Sequence, residues 1–230
     1  MMASSDPHKI IHSRSAAVLT LFDYLPSQNA WKVRQLMHHL DRPYRTELVG
    51  IFEGEGQRKE YLAINPTGAV PAIRLDDGRV LAESNAILDF LAADTPYLPA
   101  DRFARAKVRQ WLSFEGNYVE PAIGTLRHWI MTGKDARRPR ELVESRRGAS
   151  LKALGVLDRE LARRAFVAGD AYTIADISLF AYVSRADEAK LPLPEFANVV
   201  AWIERVRAQP RFLATTHPYS IDPHSGGELP

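Results

Sequence analysis

Cysteine is absent from all 230 residues. Disulfides, thiolate metal sites and a protein thiol acting as nucleophile are thereby excluded, and any sulfur chemistry has to be brought by a ligand. Excess charge is missing as well: 30 basic against 28 acidic residues leave a formal net charge of +2, too weak a field to gather nucleic acid or an anionic membrane surface. No apolar run approaches the ~20 residues a membrane-spanning helix needs. Residues 1–16 lack the apolar stretch of a secretion signal, and Asp6 and Pro7 interrupt the amphipathic pattern of an organellar presequence. They read as a polar extension, and a soluble, cytoplasmic protein without nucleic-acid or membrane partners is expected. Metal-ligand spacing is missing too. His38 and His39 are adjacent instead of four apart, so they do not share a helix face, and no metal is expected.

What is present is an ordinary globular composition, 46% hydrophobic and 25% charged. The length suits two modest domains. Residues 17–22 are β-prone and closed by the turn formers Asp23, Pro26, Ser27 and Asn29. From Ala30, apolar Val33, Leu36, Met37 and Leu40 recur at helical spacing until Asp41 and Pro43 stop them. A strand over 44–51, a Gly-rich charged loop over 52–57 and a short helical stretch lead to the turn Asn65-Pro66-Thr67-Gly68. Strands over 69–75 and 79–82 flank an Asp77-Gly78 hairpin turn, after which Glu83-Ser84 opens a helix through Ile87, Leu88 and Leu91. The order is βαβαββα. Past Asp94 a connector with Pro96 and Pro99 gives way to helical periodicity alone, over 102–131 with bends at Gly116 and Pro121, then 138–164, 173–185 and 194–208. Residues 211–230 read as loop. The fold class is therefore α/β plus all-α: a first domain over 17–94 and a helical bundle over 101–216.

Four local features carry chemistry, each with a plainer reading beside it. Ser27 and Asn29 before the first helix are good caps, and the same hydroxyl and amide at a helix N-terminus can hold an anion. Val70-Pro71 starts a strand, where a trans proline is the general rule. Glu83-Ser84 is a cap that offers both signs of polarity. Thr173-Ile174-Ala175-Asp176 is a capping-box pattern with Tyr172 and Ile177 placed as a hydrophobic staple, and is structural. The basic run over 134–147 is broken by Asp135, Glu141 and Glu144 and reads as a solvated helix face.

Taken together, Ser27-Gln28-Asn29-Ala30-Trp31-Lys32-Val33-Arg34, Asn65-Pro66-Thr67-Gly68-Ala69-Val70-Pro71, Ala82-Glu83-Ser84-Asn85-Ala86-Ile87 and Ala168-Gly169-Asp170 through Ile177 resemble the glutathione transferase superfamily, over about residues 17–215. The Ser/Thr-x-Asn turn resembles the bacterial and fungal branch related to the Nu class. The resemblance implies a thioredoxin-like first domain, a cytosolic-type homodimer, and glutathione as substrate. It implies that Pro71 is cis and that Val70, the residue before it, pairs its backbone with the cysteinyl part of glutathione. Ser84 would take the γ-glutamyl carboxylate, Glu83 would face the ammonium, and the loop before the second helix, which offers Gln57, Arg58 and Lys59, would meet the glycyl carboxylate, with Gln57 placed first. Ser27, then Asn29, would stabilise the thiolate, with Tyr24 as a nearby rival because other classes use tyrosine. Phe114, Tyr118, Arg127, His128 and Trp129 are where the second substrate would bind, Arg127 also reaching glutathione, although Phe114 and Trp129 suit an ordinary helical core. Conjugation to small hydrophobic electrophiles is the leading activity. Glutathione-dependent disulfide or peroxide reduction is the second, and a non-catalytic binding module the third.

Overall fold

A computed structural model describes residues 18–230; the reading of residues 1–16 as a polar extension lies outside the described residues. Four strands make one mixed sheet in the order β2-β1-β3-β4. β1 (Thr20–Asp23) runs parallel to β2 (Arg45–Leu48), and antiparallel to β3 (Ala72–Arg74), which pairs with β4 (Val80–Ala82) across the Asp77-Gly78 turn. Leu21 faces Ile73 and Phe22 faces Ala72 in the register, and all four are fully buried. These central strands are covered on both sides, as their apolar run demands. β2 is exposed along its whole length and polar at Arg45, Thr46 and Glu47, which guards an edge strand against further pairing. All four strands are shorter than the sequence periodicity suggests, because turns take over at their ends.

Two helices cover one face of the sheet: α1 (Gln28–His39) and α3 (Ser84–Leu91), which pack together. The segment expected as a charged loop instead winds into two 3-10 turns, Ile51–Glu53 and Glu55–Gln57, before the single turn of α2 (Lys59–Leu62) on the opposite face. There Phe22, Tyr24, Val49, Tyr61, Val70 and Ala72 form a small separate core.

The rest is helical. α4 (Arg102–Phe114) continues through a π-helical stretch, Glu115–Gly124, into α5 (Thr125–Met131). The sequence suggests bends at Gly116 and Pro121. In the structure the widened turns absorb Pro121, which has no N–H to give the helical ladder, and Gly124 admits the Tyr182 ring so closely that a Cβ there would lie 2.8 Å from it. α6 (Arg140–Leu161), α7 (Ile174–Val183) and α8 (Ala197–Arg207) complete the bundle. Every residue of α7 is buried, so it is the bundle's axis. Its start is the expected capping box. Asp176 goes further than a cap: it also accepts from Val167 N and from Trp202 Nε1 at 2.9 Å, joining α7 to α8. Burial pushes this carboxyl up to about 6, and its four donors pull it back.

One apolar core runs through both halves of the chain. Trp31 of α1 stacks on Phe180 of α7 with ring centroids 5.4 Å apart, and Phe212 of the C-terminal segment packs against both. Among the described residues, no helix is long and apolar enough to cross a membrane.

Candidate functional site

The site is assembled where three chain segments end at one edge of the sheet. At the first, Ser27 caps α1: its Oγ accepts from Ala30 N at 3.2 Å, and its extended backbone turns the chain into the helix. Asn29, in the first turn, is held at both ends of its amide. Its Nδ2 donates to Glu120 Oε1 at 3.0 Å, and its Oδ1 accepts from Ser84 Oγ at 3.3 Å.

The second segment is the turn before β3. Asn65 is buried; its Nδ2 donates to Ala69 O at 2.7 Å while its Oδ1 accepts from Thr67 N and Thr67 Oγ1. Tyr61 OH donates to the same Ala69 carbonyl at 2.7 Å. These bonds fix the backbone immediately before Val70-Pro71, whose peptide bond is cis, as the resemblance implies. Gly68 sits at φ +71, and a Cβ on Gly56 would lie 2.2 Å from Gly68 O. Glycine at 56 is thus a requirement of close backbone contact with this turn.

The third segment is the entry to α3. Glu83 adopts φ 68 and ψ 111, a conformation that costs a non-glycine residue on the order of 1–3 kcal/mol. It delivers Ser84 to the first position of the helix, where Ser84 is buried and Glu83 remains exposed.

Two adjoining hollows result. One, of about 380 Å³, is bordered by Asn29, Val70, Pro71, Glu83 and Ser84, with Glu115 and Glu120 from the helical half. The other, of about 250 Å³, is bordered by Ser27, Ile51, Gln57 and Gly68, and by Leu229 and Pro230. Thr67, Ala69 and Val70 line both, so they form one groove. Ser27, Asn29, Gln57, Val70, Pro71, Glu83 and Ser84 are therefore brought together. Among the described residues, no group of His, Asp or Glu side chains could hold a metal ion.

Arg127 is the exception among the residues singled out from the sequence. It is buried, ion-paired with Glu188, and its guanidinium lies 5.4 Å from the Tyr219 ring centroid. It borders neither hollow, because α5 turns it toward α7 and the C-terminal segment. Tyr24 is also engaged elsewhere, by Asp222, and burial together with that carboxylate pushes its phenol far above the usual tyrosine range. Of the aromatic and basic side chains considered for a second substrate, Phe114 packs on Trp111 and Tyr118, and Trp129 lies under Arg138. His128 stacks on Phe52 of the sheet domain and meets Tyr219 edge-on. Its Nε2 lies 3.0 Å from Lys134 Nζ, and burial, with the Lys134 charge, pushes it down to about 4.

Sequence reasoning missed several partners. Lys32, Glu115 and Asn85 form a buried polar network behind Ser84. Lys32 gave one weak signal, a charged residue set between apolar Trp31 and Val33. The C-terminal segment gave none: its residues look like loop, yet Leu229 and Pro230 line the groove, Asp222 bonds Tyr24 and Tyr219 packs on His128.

Known proteins resemble this chain in sequence and fold. Residues 26–94 match the family of glutathione S-transferase N-terminal domains, and residues 120–210 that of glutathione S-transferase C-terminal domains. The chain is 32% identical to glutathione S-transferase 1 of Schizosaccharomyces pombe over 86% of its own length and 95% of that protein. A crystal structure of a glutathione S-transferase from Pseudomonas fluorescens superposes with a TM-score of 0.83 at 35% identity, covering 85% of this chain and 98% of that one. A glutathione transferase from Burkholderia graminis, solved with two glutathione molecules per subunit, matches with a TM-score of 0.73 at 29% identity over 84% of this chain and 85% of that one.

Proposed function

Because the chain belongs to the glutathione S-transferase family, we propose that it binds glutathione in this groove, activates its thiol with Ser27 and Asn29, and conjugates it to small hydrophobic electrophiles. The observation that carries this reading is the continuity of the groove from Ser84 past Val70 to Ser27. Glutathione is an extended zwitterionic peptide, and its groups fall in that order. Ser84, at the start of α3, takes the γ-glutamyl carboxylate, and Glu83 with Glu120 faces the ammonium. The Val70 backbone pairs with the cysteinyl residue. Gln57, exposed at the far end, meets the glycyl carboxylate.

The thiol then lies at the N-terminus of α1. A free thiol with a pKa near 8.5 is only a few per cent ionised at neutral pH, and lowering that by about two units needs ~2.7 kcal/mol of preferential thiolate stabilisation. A hydrogen bond to a charged group supplies ~1.5–3 kcal/mol, and the helix N-terminus ~0.3–1 kcal/mol more. Ser27 can supply the first, since its oxygen accepts from Ala30 N and its proton stays free to donate. The Ser27-Gln28-Asn29 turn supports assigning the enzyme to the Ser/Thr-x-Asn branch related to the Nu class. Ile51, Leu229 and Pro230 offer the electrophile an apolar wall beside Ser27. Arg127 is left out of the glutathione contacts because Glu188 holds it. A homodimer is consistent with Phe90 and Phe103, large apolar side chains left exposed on α3 and α4.

The test is the pH titration of bound glutathione's thiolate absorbance. Ser27→Ala should raise the thiol pKa by about one to two units and change glutathione affinity less. An unchanged titration would remove Ser27 from the role. A second reading, disulfide exchange, has specific support in the Burkholderia graminis relative with two glutathiones per subunit. Soaked crystals separate the two: conjugation needs one glutathione per site, disulfide exchange two.

A further inference from the structure

Directly behind Ser84, outside the groove lining, lies a buried ammonium. Lys32 of α1 is 0% exposed. Its Nζ donates to Glu115 Oε1 at 2.8 Å and to Ser84 Oγ at 3.4 Å, and it stands 5.3 Å from the Tyr182 ring centroid. The other Glu115 oxygen accepts from Asn85 Nδ2 at 2.8 Å, and Asn85 Oδ1 accepts from Ser178 Oγ at 2.6 Å. The network therefore ties α1, α3, the π-helical stretch and α7 together at one point.

The chemistry of the donors fixes what Ser84 can do. An ammonium only donates, so the Ser84 oxygen must accept, and its single proton has to go to some other acceptor. That acceptor is Asn29 Oδ1 at 3.3 Å, the long end of the range for an O–H donor. A carboxylate placed in the groove is a stronger acceptor and takes the proton over. The charges agree with this. Glu83, Glu115 and Glu120 border the same hollow, which suits an ammonium and repels a carboxylate. Lys32 cancels the Glu115 charge at the point where the carboxylate would sit. A buried ion pair contributes little to stability compared with an apolar pair of similar volume, so a role in the fold alone is a weak reason for it.

We propose that Lys32 is a positioning residue for the γ-glutamyl carboxylate: through the Ser84 oxygen it turns the hydroxyl proton into the groove, and through Glu115 it removes the repulsion behind it. The proposal rests on the glutathione reading above.

The experiment compares affinity for glutathione with that for an analogue carrying an amide in place of the γ-glutamyl α-carboxylate, by calorimetry. The parent should prefer glutathione by about tenfold to a hundredfold, the span of one charge-assisted hydrogen bond. In the double variant Lys32→Met, Glu115→Gln the preference should fall below about threefold, with affinity for the amide analogue unchanged. A purely structural role weakens both ligands alike and leaves the preference intact, which would overturn the proposal. Where circular dichroism shows that the double variant does not fold, Lys32→Gln with Glu115→Gln keeps a hydrogen-bonded pair of similar length and is read by the same criterion. A parent that binds both ligands equally also overturns the proposal, while the glutathione reading stands. A parent that binds neither removes both.

Discussion

The phenol of Tyr24, one residue past β1, donates a 2.6 Å hydrogen bond to Asp222, 198 residues further along the chain. It pins the C-terminal segment beside the groove and leaves the phenol without a proton to offer a ligand. Tyr24→Phe keeps the ring's contact with Phe52 and removes only this bond. Hydrogen exchange across residues 219–222 should accelerate, with a stability loss of about 1 kcal/mol. Bound thiolate should titrate as in the parent. An upward shift in Tyr24→Phe, with Ser27→Ala silent, would transfer the thiol-activating role to the tyrosine.

Gly56 tests how tightly the groove floor is set. A Cβ there meets the Gly68 carbonyl at 2.2 Å, a backbone atom that can move only by displacing the turn ahead of Val70. Gly56→Ala should cost about 1–3 kcal/mol of stability and lower glutathione affinity about tenfold. Gly148→Ala, in mid-α6 with nothing within 4 Å of the added atom, should instead stabilise by about 0.5–1 kcal/mol. Thermal melts and calorimetry on the two variants check both signs.

His128 should make the junction between domains acid-sensitive. Its folded value, pushed down to about 4, lies below the ordinary histidine value of 6.5. A depressed folded value means that the unfolded chain binds the proton first, so its contribution is present above about pH 6.5 and is lost as pH falls toward 4. His128→Gln keeps an acceptor for Lys134 and does not titrate. Urea midpoints measured across that window should fall less steeply with acid in the variant, and a proton NMR titration of His128 should show a midpoint near 4.

Asp176 predicts the opposite slope. Its carboxyl, pushed up to about 6 from 3.8 by complete burial, is more easily protonated folded than unfolded. Its contribution is greatest below about pH 4 and declines as pH rises through 6, by about 3 kcal/mol at most. Asp176→Asn should abolish that slope. It also puts an amide NH₂ in place of one carboxylate oxygen, facing either Thr173 N or the pair Val167 N and Trp202 Nε1, all of which donate, so it should cost about 1–3 kcal/mol at neutral pH. Chemical denaturation over pH 4–7 decides both.

Much of this was legible along the chain because it is local. Period-3.6 patterns end where Asp41 or Pro43 forbids a helix, the Asp77-Gly78 turn dictates a hairpin, and Thr173 with Asp176 closes its own capping box. The sequence by itself thus determined the βαβαββα order, the helical second half, and the turn residues Ser27, Asn29, Pro71, Glu83 and Ser84. Each of these is set by the dihedral preferences and hydrogen-bonding groups of a few neighbouring residues. Tertiary structure decided what depends on distance through space. Lys32 reads as one more polar side chain of a mixed helix until Glu115, 83 residues away, arrives to pair with it. Arg127 reads as a free cation above the groove until Glu188 and Tyr219 enclose it. Residues 219–230 read as loop until Tyr24 and Ser27 give them a surface. A polar side chain's role is set by the partner that satisfies it, and the partner's sequence position has no period.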